Sequence, residues 1–194
     1  NAGAYFPVFN WTLKSLFLAS YPEKKTTSMK KILLLAVAVC AFLCSNAQTQ
    51  AFTEKFELPG GADSVSSVGT PAWTINTTYA SAGVQSMLGT IGTASTTYLA
   101  SNTFSTIGNT FIRLEFDHIC KIEFFDSGTI EVSNDGGATW TQLTCTEYLG
   151  TGTFCGSGNK FASNTYLLWD PANPSVQPNN TWWHTETFDM STFL

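Results

Sequence analysis

One eight-residue stretch, Ser133-Asn-Asp-Gly-Gly-Ala-Thr-Trp140, constrains the fold more tightly than any other part of the chain. Just before it, Ile130 and Val132 alternate with Thr129 and Glu131. That period of two marks a half-buried strand. Asp135-Gly136-Gly137 then supplies a turn: glycine takes positive φ without steric cost, and the Asp side chain can accept backbone N–H bonds. Trp140 opens a return strand, Thr141-Gln-Leu143, and can lay its ring over the turn. The pattern predicts a β-hairpin whose structural turn residues are Ser133, Asp135, Gly137 and Trp140. Ser-x-Asp-x-Gly-x-x-Trp also fits the Asp-box of sialidases and other β-propellers. Those folds repeat the unit once per blade, whereas here it occurs once. The motif is therefore read as a fold device.

The surrounding chain agrees with an all-β reading. Only 12% of its residues are charged and 14% are aromatic, with Gly, Ser, Thr and Asn between the apolar runs. The apolar content, 43%, is enough to form a core. Expected strands are Phe52 with Lys55–Leu58, Ala72–Ile75, Gly83–Met87, Thr96–Ser101, Thr110–Cys120, Phe161–Trp169 and Trp182–Met190. In the longest of them Ile112, Leu114, Phe116, His118 and Cys120 share one face. No segment after residue 47 has the period of an amphipathic helix. Strands at this spacing, broken by turn signals, argue for a jelly-roll β-sandwich.

Three segments are expected. Residues 29–47 read as a secretory signal peptide: basic Met29-Lys-Lys31, the apolar run Ile32–Leu43, then the small-x-small step Ser45-Asn-Ala47. The apolar run is shorter than the roughly 20 residues a membrane helix needs. Residues 1–28 read as an untranslated or unstructured segment upstream of a start at Met29. The competing reading is a membrane-associating segment built on Phe6, Phe9, Trp11 and Leu13. Residues 48–194 form the module itself. They hold four cations (Lys55, Arg113, Lys121, Lys160) against thirteen acids, a balance that disfavours nucleic acid and anionic membranes as partners.

No arrangement of residues points to catalysis. His118 and Asp117 are neighbours in a strand and so face opposite ways. His184 and Glu186 share a face but lack a third ligand, and no His-Glu-x-x-His or Gly-x-Ser-x-Gly motif is present. Cys145 and Cys155 bracket a short loop and form the natural disulfide in an exported chain, with Cys120 as a core residue. Pairing of Cys120 with either of them remains the alternative. Oxygen-rich turns at Asp126 and in the loop from Asp170 to Asn180 are candidate sites for structural Ca²⁺. Trp169, Trp182, Trp183, Tyr148 and Tyr166 fall near expected loops. They are the candidate ligand-binding residues, since such rings stack on sugars or anchor protein partners.

A set of features occurs in order: Phe52-x-Glu54-x-Phe56-Glu57, Trp73, Tyr98-Leu-x-Ser101, Leu114-x-Phe-Asp-His118, Ile130 to Trp140, Tyr148-x-Gly150 and Phe188-Asp-Met-Ser191. The set resembles the MAM-like jelly-roll module of secreted bacterial proteins. Such modules occur in "choice-of-anchor" proteins exported by type IX secretion and beside immune-inhibitor-A-like metallopeptidases. The resemblance implies a secreted or cell-surface module for adhesion or carbohydrate or protein binding, with no shared catalytic residues. It also implies further strands beyond Leu194, so the module is expected to be incomplete here. The alternative function is an accessory domain of a secreted peptidase or glycosidase whose catalytic domain lies elsewhere.

Overall fold

The computed structural model describes residues 4–5, 11–12, 51–57 and 65–193; the expected signal peptide lies outside them. Regular structure among the described residues is almost entirely β, joined by long turns and loops. Its strands are β1 (Ala4–Tyr5), β2 (Trp11–Thr12), β3 (Thr53–Glu54), β4 (Val65–Gly69), β5 (Thr74–Asn76), β6 (Ser86–Leu88), β7 (Thr90–Ile91), β8 (Thr97–Ser101), β9 (Arg113–His118), β10 (Glu131–Val132), β11 (Thr141–Gln142) and β12 (His184–Asp189). Helical backbone among the described residues is confined to two short 3₁₀ segments, Leu167–Trp169 and Ser191–Phe193. The all-β expectation holds.

The strands form one four-stranded antiparallel sheet, ordered β12-β9-β2-β3, and four two-stranded pairs: β1-β7, β4-β8, β5-β6 and β10-β11. β1 and β2 fall within residues 1–28, expected to be untranslated or unstructured, and here they pair with β7 and with β3 and β9. The β9–β12 ladder is the longest in the main sheet, running from Arg113 opposite Asp189 to His118 opposite His184. Its alternation is the one legible in the sequence: Leu114, Phe116 and His118 are buried, while Arg113, Glu115 and Asp117 between them are only half-buried. On β12 the inward residues are Glu186 and Phe188. Phe116 and Phe188 stack across the ladder, with Phe154 and Phe161 edge-on or tilted against them. Segment 147–149 covers the outer edge of β12: the Leu149 N–H donates to the Thr187 carbonyl (2.8 Å) and the Asp189 N–H to the Glu147 carbonyl (2.8 Å).

Two expected strands are corrected. Phe161–Trp169 makes only a single bridge, Phe161 to Gly128, before the chain turns. The Thr165 hydroxyl accepts from the Ala162 N–H (2.8 Å), and a 3₁₀ turn then leads to Asp170 in the left-handed region. This run lacked a true period of two, and Leu167 and Leu168 are exposed while Trp169 is buried. The first expected strand stops at Glu54, because Phe56 adopts φ 60 and its N–H donates to the Glu54 carboxylate (2.6 Å). The Ser-rich strand β4 was not anticipated. Its residues are largely exposed and carry little apolar pattern.

Candidate functional site

The hairpin between β10 and β11 has the expected turn chemistry. Asp135 Oδ1 accepts from the Ser133 hydroxyl (2.7 Å) and the Thr139 N–H (2.9 Å), and Oδ2 accepts from the Thr139 hydroxyl (2.5 Å). The Ser133 hydroxyl oxygen in turn accepts from the Gly137 N–H (2.8 Å). Gly136 and Gly137 take φ 76 and 93, where a side chain would be strained. The Thr139 hydroxyl and amide, helped by Ser133, hold the Asp135 carboxyl well below the usual carboxylate range. Its oxygens are committed to the turn and not to proton transfer. The Trp140 indole N–H donates to the Gly137 carbonyl (3.2 Å), yet the ring remains 51% exposed.

Beside this turn lies a cleft of about 380 Å³. Ile112, Leu114, Met190 and Phe193 contribute apolar surface to it. Aromatic lining comes from Trp140 and from Phe104, which stacks on Phe52 at 5.2 Å and is 40% exposed. Asn134, Thr106 and Glu131 add polar groups, and no Lys or Arg is among its described lining residues.

A second centre is built inside the fold, on the inner face of the β9–β12 ladder. Glu186 is fully buried. Its Oε1 accepts from the Tyr166 hydroxyl (2.7 Å) and from His118 Nε2 (3.1 Å), and its Oε2 from the Tyr148 hydroxyl (2.7 Å). The Tyr148 oxygen accepts from the Gly152 N–H (2.9 Å). Tyr166 also stacks flat on His184, with centroids 3.5 Å apart. Burial by itself would raise the Glu186 carboxyl. The hydrogen bond and charge of His118, with the two tyrosine hydroxyls, outweigh burial and hold it lowered. Burial, reinforced by His118 and opposed by Glu186, lowers His184. Burial first, then the Glu186 charge, pushes Tyr166 up to about 12. Gly150 and Gly152 let the loop close over this carboxylate. A Cβ at Gly150 would lie 2.5 Å from Glu186 Oε2 and overlap the Tyr148 hydroxyl. None of these residues lines the cleft, so the centre acts as an internal lock.

This arrangement corrects the expected ligand site. Trp169 is fully buried and donates its indole N–H to the Trp182 carbonyl (2.7 Å). Trp182 is buried at 6% exposure, with the Lys121 ammonium 5.9 Å from its ring centroid. Tyr148 and Tyr166 turn their hydroxyls inward to Glu186. Trp183 is half-buried, its indole nitrogen 3.5 Å from Asn180 Oδ1. The five rings do not form one exposed surface, because residues near loops in sequence lie against the inner face of the main sheet.

The calcium candidates are likewise not brought together. Among the described residues no three His, Cys, Asp or Glu side chains gather as a metal site would need. In the Asp170 loop the cation is internal: the Lys121 ammonium donates to the carbonyls of Trp169 (2.9 Å), Asp170 (2.7 Å) and Asn173 (2.8 Å). Asp126 closes a turn by donating its N–H to the Glu123 carbonyl (3.0 Å). Cys145 and Cys155 are joined by a disulfide with Cα atoms 5.0 Å apart, while Cys120 is buried and free. Burial raises the Cys120 thiol far above its ordinary range, so it is a protonated core group. Asp117 and His118 do face apart. Asp117 accepts from the hydroxyls of Ser81 (2.5 Å) and Thr185 (2.6 Å) on the outer face.

Sequence reasoning found His118 and Glu186 separately and missed that they meet. The signal was present: a His and a Glu both on inward strand faces each need a buried partner. No protein-family model, curated protein or solved structure matches this chain. Among the described residues no helix is long and apolar enough to cross a membrane.

Proposed function

We propose that the chain carries a MAM-like, jelly-roll binding module of an exported bacterial protein, holding a glycan or a protein surface without chemical turnover. The observation that carries this reading is the open, aromatic-lined cleft beside the Ser133–Trp140 turn. Concave apolar sites with a few placed polar groups are where ligands bind. The titratable groups that converge elsewhere, around Glu186, are closed off from it. The signal-peptide pattern at 29–47 and the Cys145–Cys155 bridge both suit an oxidising, exported setting. Two measurements test it. Protein recovered from outside a bacterial host should begin at or near Gln48, which removes β1 and β2 and leaves β3, β9 and β12 of the main sheet. The secreted protein should also be retained on immobilised polysaccharides or extracellular matrix proteins, and Trp140→Ala should release it. Retention that is indifferent to Trp140→Ala would sink the reading.

A further inference from the structure

Resting on that reading, we infer that the cleft takes a neutral sugar, a hexose or N-acetylhexosamine ring within an oligosaccharide. Its two aromatic groups, Trp140 and the Phe52–Phe104 stack, offer flat apolar surface that remains partly open to solvent. A pyranose has just such an apolar face of C–H bonds, with hydroxyls around its edge. The polar lining matches that edge. Glu131 presents carboxylate oxygens, which only accept, and hydroxyls can donate to them. Asn134 and Thr106 both donate and accept. Charge narrows the class further. Glu131 is the only ionisable side chain in the described lining, and no cation accompanies it. A uronate, sialate or sulfated sugar would meet like charge and find no partner. The cleft volume, about 380 Å³, is at the lower end for small-molecule sites and suits one ring and its substituents.

An extended peptide is disfavoured because it needs a strand edge to pair with. The strands that flank the turn, β10 and β11, are two residues long each and paired with one another, so they offer little edge for strand addition.

The test is an array of neutral, uronate-containing and sulfated oligosaccharides, probed with the secreted protein, followed by calorimetry on the best sugar. Neutral glycans should bind, and Trp140→Ala and Phe104→Ala should each weaken them by about tenfold or more. Both side chains are substantially exposed, so unchanged circular dichroism and an intact disulfide will show that the variants fold. Binding confined to acidic glycans overturns the proposal. Binding of a peptide library but of no glycan, still lost in Trp140→Ala, overturns the sugar and leaves the binding-module reading standing. Binding of neither overturns both.

Discussion

Glu186→Gln is the sharpest perturbation of this fold. The native carboxylate is fully buried and accepts three hydrogen bonds, two from tyrosine hydroxyls and one from His118. Hydrogen bonds to a charged group contribute about 1.5–3 kcal/mol each, and neutral ones about 1 kcal/mol. Gln keeps the shape and one acceptor oxygen, but its NH₂ confronts a hydroxyl that had been donating. It also weakens the buried hydrogen bond from His118, which is left facing a neutral amide. We expect a loss of about 3 kcal/mol, read as a lower urea midpoint with an unchanged slope. Trp169, buried against this centre, is the natural fluorescence probe. The pH dependence follows from the same contacts. Glu186 is held below its ordinary 4.5 when folded, so the unfolded chain binds that proton first, and stability falls as the pH drops below about 4.5. His184 is lowered from 6.5, so the unfolded chain again protonates first, and the loss begins near pH 6.5. Tyr166 is raised from 10, so its contribution is lost as the pH rises above about 10. Native protein should therefore be most stable between about pH 6.5 and 10, and Glu186→Gln should show a shallower loss below 4.5, with the Asp135 contribution remaining. A cost under about 1 kcal/mol, or an unchanged acid limb, would refute the account of the centre.

Gly150→Ala should destabilise by about 2 kcal/mol, since its methyl would press on Glu186 Oε2 and the Tyr148 hydroxyl; thermal melting checks this. Lys121→Met should cost about 3 kcal/mol in urea titration, because it removes an ammonium that satisfies three carbonyls. Reducing the Cys145–Cys155 bridge, whose cysteines are 10 residues apart, should cost up to about 3 kcal/mol of stability. Denaturation with and without dithiothreitol measures it.

The strands with strict alternation were legible without a structure. Leu114, Phe116 and His118 had to share a face, because successive side chains on a strand point opposite ways. The Ser133–Trp140 turn was equally legible, since its hydrogen bonds close within eight residues and need no distant partner. Local chemistry likewise supported the 145–155 bridge, whose cysteines bracket a short loop. Contacts between distant segments were not legible in this way. Period-two alternation says which face a residue occupies, not which strand lies beside it or what loop closes over it. The register setting His118 opposite His184 joined His118 to Glu186; a loop with glycines at 150 and 152 then carried Tyr148 onto the same carboxylate, and the turn before Leu167 brought Tyr166. Those tyrosines, with Trp169 and Trp182, looked like surface rings because sequence records nearness to a loop and not burial. The cleft came from the same source: Phe52, Phe104, Trp140 and Phe193 lie far apart in the chain, and only the packing of separate elements gathers them.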